Sequence, residues 1–138
     1  MKITLVTTTH IVPKKNSFHA GVSKRGRLFQ YRSGSAKTSE REIIQEIGHQ
    51  RRALKWRTTG DPVRVFCRLK KTRGDLVGLV ETILDALQGG HELKGIGCII
   101  KDDKQVVALE AEWDRDWDGC ALPKGETARI VVETLCPV

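Results

Sequence analysis

The stretch that decides the fold is Leu76-Val77-Gly78-Leu79-Val80-Glu81-Thr82-Ile83-Leu84-Asp85-Ala86-Leu87, which lies past the middle of a 138-residue chain. Apolar residues recur in it every three or four positions, and this spacing predicts an amphipathic helix. Its predicted apolar face consists of Leu76, Leu79, Val80, Ile83, Leu84 and Leu87. Its predicted polar face consists of Asp75, Gly78, Glu81, Thr82 and Asp85. Gly89-Gly90 is expected to end the helix.

A strand is predicted before this helix. Val63, Val65, Cys67 and Leu69 alternate with more polar residues, which is typical of a half-buried strand. Further strands are predicted at residues 2–7, 28–31, 97–100, 105–113 and 128–135. A first helix is predicted from residue 38 to about residue 54, with Ile43, Ile44, Ile47 and Ala53 near its buried stripe. Helices and strands mix without regular βαβ alternation, so the sequence predicts a single α+β domain, a small mixed sheet packed against two main helices.

Composition excludes several classes of protein. No apolar run approaches the roughly 20 residues needed to span a bilayer, so no membrane partner is expected. The four cysteines lie far apart without a CxxC pair, which argues against a structural zinc site and indicates a reducing, cytoplasmic location. The four histidines show no metal-binding spacing, and none is assigned to a metal. No cofactor motif or phosphate-binding glycine loop favours a small-molecule enzyme.

The distribution of charge favours a polyanionic partner. Residues 1–73 hold 18 Lys and Arg against 4 Asp and Glu, whereas residues 74–138 hold 6 against 13. A basic half joined to an acidic half suggests a nucleic-acid-binding surface beside a site that contains several carboxylates. The simpler alternative is that the two halves neutralise each other in the folded chain.

Two short acidic segments are candidates for chemistry. Asp75 opens the predicted second helix, and Asp102 and Asp103 lie in a turn before a strand. If the helix packs beside that turn, the three carboxylates could converge on Mg²⁺, which would activate water and neutralise charge on a scissile phosphate. The alternative is a solvated helix start and an ordinary Asp-Asp turn.

Basic residues flank both acidic segments and fill two loops. Basic loops suit contacts to phosphate, which give affinity without reading sequence. The candidate nucleic-acid-binding residues are Lys14, Lys15, Lys24, Arg25, Arg27, Lys70, Lys71, Arg73, Lys101 and Lys104.

Two blocks of this sequence resemble the RusA-like Holliday-junction resolvases. The first runs from Gly74 to Leu87 and ends in Leu-Asp-Ala-Leu, and the second is Lys101-Asp102-Asp103-Lys104-Gln105-Val106-Val107. That family carries an Asp-x-Asp-Asn-Leu segment opening a helix, a Leu-Asp-Ala-Leu helix end and an Asp-Asp-x-Gln-Val turn. Val12-Pro13-Lys14-Lys15-Asn16 and Tyr31-Arg32-Ser33 extend the similarity over most of the chain.

The resemblance implies a homodimeric, Mg²⁺-dependent endonuclease, with Mn²⁺ as a possible substitute. Such an enzyme binds four-way DNA junctions and places paired nicks, one from each subunit. The family's first catalytic aspartate falls on Asp75 and the aspartate of its acidic turn falls on Asp103, with Asp102 beside it. These three residues are therefore the expected catalytic and metal-binding residues.

This sequence departs from the family pattern at three positions. Val77 replaces the second aspartate, Gly78 replaces the following asparagine, and Glu81 replaces a catalytic lysine. Glu81 lies about 9 Å from Asp75 along an ideal helix, too far to share one ion, so Asp102 is the better replacement carboxylate. The alternative function is a RusA-like module that binds branched DNA without cutting it.

Overall fold

The computed structural model describes residues 1–13, 18–22, 28–32, 34–72, 74–90, 98–114 and 121–135. Six strands and two α-helices occur in these ranges. The strands are β1 (Lys2–Thr7), β2 (Phe18–Val22), β3 (Leu28–Arg32), β4 (Val63–Leu69), β5 (Val106–Trp113) and β6 (Ala128–Thr134). The helices are α1 (Gly34–Ala53) and α2 (Leu76–Leu87), and a 3₁₀ helix (Asp103–Gln105) precedes β5.

Four strands form one mixed sheet in the order β1-β6-β4-β5, and β2 pairs with β3 in a separate antiparallel hairpin. β6 runs antiparallel to both β1 and β4, whereas β4 and β5 are parallel. A parallel pair needs a crossover connection, and α2 lies in it. The chain therefore contains one βαβ unit in an otherwise antiparallel sheet, which confirms the predicted α+β class.

One face of the sheet carries the core. Alternate residues of β1, β4 and β6 are fully buried, as their period of two requires. Ile43 and Ile47 of α1 and Leu79 and Ile83 of α2 pack against them, each with no exposed surface. Cys67 and Cys98 are buried in the same core, as their apolar neighbours predict.

The second helix matches its predicted bounds, but its polar face is narrower than predicted. Gly78 and Thr82 are buried, and the Thr82 hydroxyl donates to the Val12 carbonyl at 2.7 Å. Two residues that the sequence assigns to the polar face of the helix therefore pack against the segment that follows β1.

The first helix begins four residues before its predicted start. Ser39, next to the predicted start, lies inside the helix, and its hydroxyl donates to the His10 carbonyl at 2.6 Å. Ala53, predicted to lie near the buried stripe, is exposed. Local sequence propensity predicts that a helix forms in this region. Tertiary contacts determine where it begins and which of its faces is buried.

The prediction of a strand at residues 97–100 is wrong for residues 98–100, which the structure describes. Ile99 and Ile100 donate their N–H groups to the Leu87 carbonyl at 2.8 and 3.2 Å, and Ile100 forms one isolated bridge with Thr59. Their backbone donors satisfy the end of α2 and not a neighbouring strand. Strand β2 was not predicted, because its short sequence is interrupted by Gly21 and is stabilised by pairing with β3.

None of the helices in the described ranges is long and apolar enough to cross a membrane.

Candidate functional site

Asp102 and Asp103 lie in a turn whose shape is fixed by hydrogen bonds. Asp102 caps the 3₁₀ helix, and its Oδ1 accepts from the Lys104 N–H at 2.9 Å. Gln105 Oε1 accepts from the N–H groups of Lys101 and Asp102, both at 2.8 Å. Gln105 Nε2 donates to the carbonyls of Thr59 and Asp61 at 2.8 and 2.9 Å. The exposed carboxylates of this acidic turn therefore stand on a rigid support.

The two carboxyl groups of the acidic turn perturb each other. The Lys104 N–H and a side-chain hydrogen bond with Asp103 lower the pKa of Asp102. The same hydrogen bond, partial desolvation, and the charges of Asp102 and Asp85 raise the pKa of Asp103. Asp102 is therefore the more acidic of the two carboxyl groups.

Asp75 is placed at the N-terminus of α2, where it caps the helix. Its backbone is extended (φ −85°, ψ 153°), and Oδ1 accepts from the Gly78 N–H at 2.6 Å. A Cβ added at Gly78 would lie 2.7 Å from Asp75 Oδ1 and 3.2 Å from Pro13 Cβ. Glycine at position 78 is therefore explained by packing against the cap and against Pro13.

Helix α2 separates Asp75 from the acidic turn. β4 and β5 begin together, with Val63 paired to Val106, so the acidic turn lies at the start of these strands. Asp75 follows the other end of β4 and precedes a helix that runs back along the sheet. Asp85, whose charge acts on Asp103, lies about 15 Å beyond Asp75 along the helix axis. Asp102 and Asp103 are thus neighbours in the acidic turn and the charge of Asp85 reaches Asp103, whereas Asp75 lies at the other end of α2 within one chain.

No group of three or more His, Cys, Asp or Glu side chains within the described ranges is arranged to hold a metal ion by itself. Val77, which the RusA-like resemblance places at that family's second aspartate, has an exposed side chain in the first turn of α2. The metal-binding and catalytic assignments of Asp75, Asp102 and Asp103 stay predictions.

A cleft of about 160 Å³ lies at the end of β4 that is opposite the acidic turn. Its floor is apolar and its rim carries cations and hydroxyl groups. The lining residues are His10, Ile11, Leu69, Lys70, Lys71, Thr72, Leu79 and Thr127. His10, Lys70 and Lys71 are exposed, so their donors are available to an anionic ligand.

The rim of this cleft is held by a carboxylate bound to three threonines. Glu46 of α1 accepts hydrogen bonds from the Thr7 hydroxyl and from the N–H and hydroxyl groups of Thr8 and Thr9. Partial burial raises the pKa of Glu46, but the hydrogen bonds from Thr9 and Thr8 outweigh it and the net pKa is lowered. Thr127 donates to the Thr9 carbonyl at 2.7 Å and fixes the same segment to β6.

The predicted nucleic-acid-binding residues fall in three places. Lys70 and Lys71 lie at the cleft, while Lys101 and Lys104 flank the acidic turn, and all four are exposed. The two pairs are about 20 Å apart along β4, at 3.3 Å per residue. The others lie outside the described residues: Lys14, Lys15, Lys24, Arg25, Arg27 and Arg73.

Sequence reasoning missed His10, Glu46 and Thr127 as parts of one site. These residues are joined only by folding, because Thr127 is 118 residues from the carbonyl it contacts. The run Thr7-Thr8-Thr9 was the one local signal, since three consecutive hydroxyl groups after a strand suit an anionic partner.

No model of a known protein family matches this chain, and a search of curated proteins finds no similar sequence.

Proposed function

We propose that this protein is a structure-selective endonuclease that binds branched DNA, four-way junctions above all, and cuts it by paired phosphodiester hydrolysis, in the manner of the RusA-like family. The observation that supports this best is the acidic turn. It presents two adjacent exposed carboxylates on a support fixed by Gln105, with a lysine on each side. Adjacent carboxylates flanked by lysines offer oxygen ligands to a divalent cation and positive charge to DNA phosphate.

The donor set fits a hydrated magnesium ion. Mg²⁺ in proteins keeps several waters and is held by one or two carboxylates together with substrate phosphate. Asp102 and Asp103 would supply those carboxylates. The ion, or Mn²⁺ in its place, would lower the pKa of a bound water and stabilise charge on the phosphate.

The residues of this chain would orient the DNA around that position. Lys101 and Lys104 would bind phosphates next to the scissile one, and Lys70 and Lys71 would bind the backbone about 20 Å away. At 3.4 Å per nucleotide of one strand, this span corresponds to about six nucleotides. Contacts of this kind orient a duplex arm without reading its sequence.

Paired nicks require two active sites, so the proposal includes a homodimer that works in the reducing environment of the cytoplasm. Asp75 has no place at the acidic turn of its own chain. A catalytic role for Asp75 would therefore require a position in the dimer away from the acidic turn of its own chain.

A second function, junction binding without cleavage, is favoured by a specific observation. Asp75 Oδ1 is engaged in the helix cap, and the neighbouring family position is the exposed Val77. Under this alternative the basic surfaces persist and the acidic turn has a structural role.

The deciding experiment incubates the purified protein with a labelled four-way junction and a matched linear duplex, in Mg²⁺, in Mn²⁺ and with a chelator. The nuclease proposal expects paired nicks in the junction alone, and only with metal. Asp103→Asn should abolish cutting while junction binding survives or tightens, because the substitution removes a negative charge that would repel the DNA phosphates.

The matched control is Glu133→Gln, which removes an exposed carboxylate of β6 on the sheet face that points away from the core. It should cut at the wild-type rate. Junction-selective binding with no cuts in either metal would favour the binding module. Full activity of Asp103→Asn would show that Asp103 is not part of the active site.

A further inference from the structure

The segment that ends α1 carries a concentration of positive charge. Residues 51–57 contain Arg51, Arg52, Lys55 and Arg57, four cations in seven positions. Arg52, Lys55 and Arg57 are exposed, and together they form what we call the α1-end surface. Within the described ranges, no carboxylate forms an ion pair with any of these three residues.

Lys55 occupies a backbone position that favours glycine. Its φ is +55°, and it is the one non-glycine residue with positive φ in the part of the chain that the structure describes. The Trp56 N–H donates to the Arg51 carbonyl at 2.9 Å and the Lys55 N–H donates to the Arg52 carbonyl at 3.2 Å. These two bonds form a Schellman motif, whose left-handed residue is usually glycine. A side chain in the left-handed conformation is strained, so a lysine here needs a reason outside local stability.

Stabilisation of the helix does not supply that reason. Cations in the last turn of a helix interact favourably with its dipole, which accounts for Arg51 and Arg52. The effect falls off within that turn and does not extend to Arg57. Glycine at position 55 would end the helix with less strain, and the charge of Lys55 would then be the only loss.

The α1-end surface leads directly to the acidic turn. After Arg57, the Thr58 hydroxyl donates to the Cys98 carbonyl at 2.6 Å, and Thr59 bridges Ile100. Gly60 then lies beside the side chain of Lys101, because a Cβ added at Gly60 would be 3.7 Å from Lys101 Cδ. The segment 57–61 therefore runs beside the segment that carries Asp102 and Asp103.

The geometry points to a second phosphate-binding surface, in which Arg52, Lys55 and Arg57 bind the backbone of the DNA arm that approaches the acidic turn from the α1 side. None of the three belongs to the basic residues that the sequence singled out. The inference rests on the proposed function for its ligand. It adds a contact region separate from Lys70 and Lys71 at the far end of β4.

The test compares Lys55→Gly and Arg57→Gln with wild type by titration of the labelled four-way junction at several salt concentrations, without divalent metal. Each variant should raise the Kd about three- to tenfold near 0.1 M salt. Each should also make the dependence of log K on log salt shallower by about 0.9 for a lost phosphate contact. The melting temperature of Lys55→Gly should stay at the wild-type value or rise, because the strain is removed.

The matched control is Arg64→Gln, which removes an exposed cation on the sheet face opposite the core and should leave Kd and salt slope unchanged. The inference is overturned if wild type binds the junction and both α1-end variants bind with the same Kd and slope. Wild-type binding to linear duplex as tight as to the junction would overturn the proposed function alone, and the α1-end variants would still be judged on that duplex. Absence of wild-type DNA binding would overturn both.

Discussion

Single residues with unusual partners organise both ends of the central strand β4. Near the cleft, Glu46 receives donors from three consecutive threonines, and this sets the course of the chain from β1 to His10. Near the acidic turn, Gln105 joins the turn to the carbonyls of Thr59 and Asp61. In each case one polar side chain satisfies several backbone groups, so it positions residues that the proposed DNA ligand would contact.

Glu46 predicts a pH dependence of stability. Its pKa in the folded chain is below its ordinary value of 4.5, so the ionised carboxylate stabilises the fold. That contribution is fully present above about pH 4.5 and is lost as the pH falls through the lower folded-state pKa. Glu46→Gln should therefore reduce the free energy of unfolding by about 1 kcal/mol at pH 7, and the difference from wild type should shrink as the pH falls below 4.5.

Urea denaturation at pH 7, 5 and 3.5 measures this difference. Glu42→Gln, at an exposed position of the same helix, serves as the control and should show little change at any pH. A deficit of Glu46→Gln that stays constant down to pH 3.5 would contradict the assignment to the ionised carboxylate.

Among the elements, α2 has the largest influence on the site. Its length sets the distance between Asp75 and the acidic turn, and its first turn packs against Pro13. Asp75 has two possible roles at this position, as a helix cap and as the aspartate expected from the RusA-like resemblance. A pair of substitutions separates them, because asparagine caps a helix about as well as aspartate but lacks its charge.

Asp75→Ala should lower the free energy of unfolding by about 1 kcal/mol through loss of the cap, whereas Asp75→Asn should stay close to wild type. Thermal or urea unfolding measures the first effect, and junction cleavage is measured on the same samples. Loss of cleavage in the stable Asp75→Asn variant would assign the carboxylate to catalysis. Full cleavage by Asp75→Asn would restrict this residue to capping.

At the scale of the whole molecule, the proposed DNA contacts lie at both ends of β4. The cleft carries Lys70 and Lys71, and the other end carries Lys101, Lys104 and the α1-end surface. Binding through two separated basic regions is mainly electrostatic and weakens steeply with salt. A ligand with arms in several directions would contact both regions more readily than a short linear duplex would.

The combined variant Lys70→Gln/Lys71→Gln tests this arrangement. It should weaken junction binding and make the salt dependence of log K shallower by up to about 1.8, for two phosphate contacts. Filter binding or fluorescence anisotropy at four salt concentrations provides the measurement. An unchanged slope would show that the cleft does not contact phosphate.

The sequence alone determined the class of the fold and the elements with strong periodicity. The bounds of β4 and α2 follow from residue patterns with periods of 2 and 3.6, and these local patterns do not depend on distant contacts. It also identified the acidic turn, because Asp102 and Asp103 are neighbours in the chain. Its expectation that Asp75 would lie beside them could not be tested from spacing, since the answer depends on which way α2 crosses the sheet.

Only the tertiary structure decided which side chains share a site. The parallel pairing of β4 with β5 places the acidic turn at one end of these strands and Asp75 at the other. The charge of Asp85, near the end of α2, acts on Asp103. The contacts of Glu46 with Thr7–Thr9, and of Thr127 with the same segment, join residues separated by about 40 to 120 positions. Such contacts leave no periodic trace in the sequence, because they arise from the packing of whole elements and not from the propensity of any one of them.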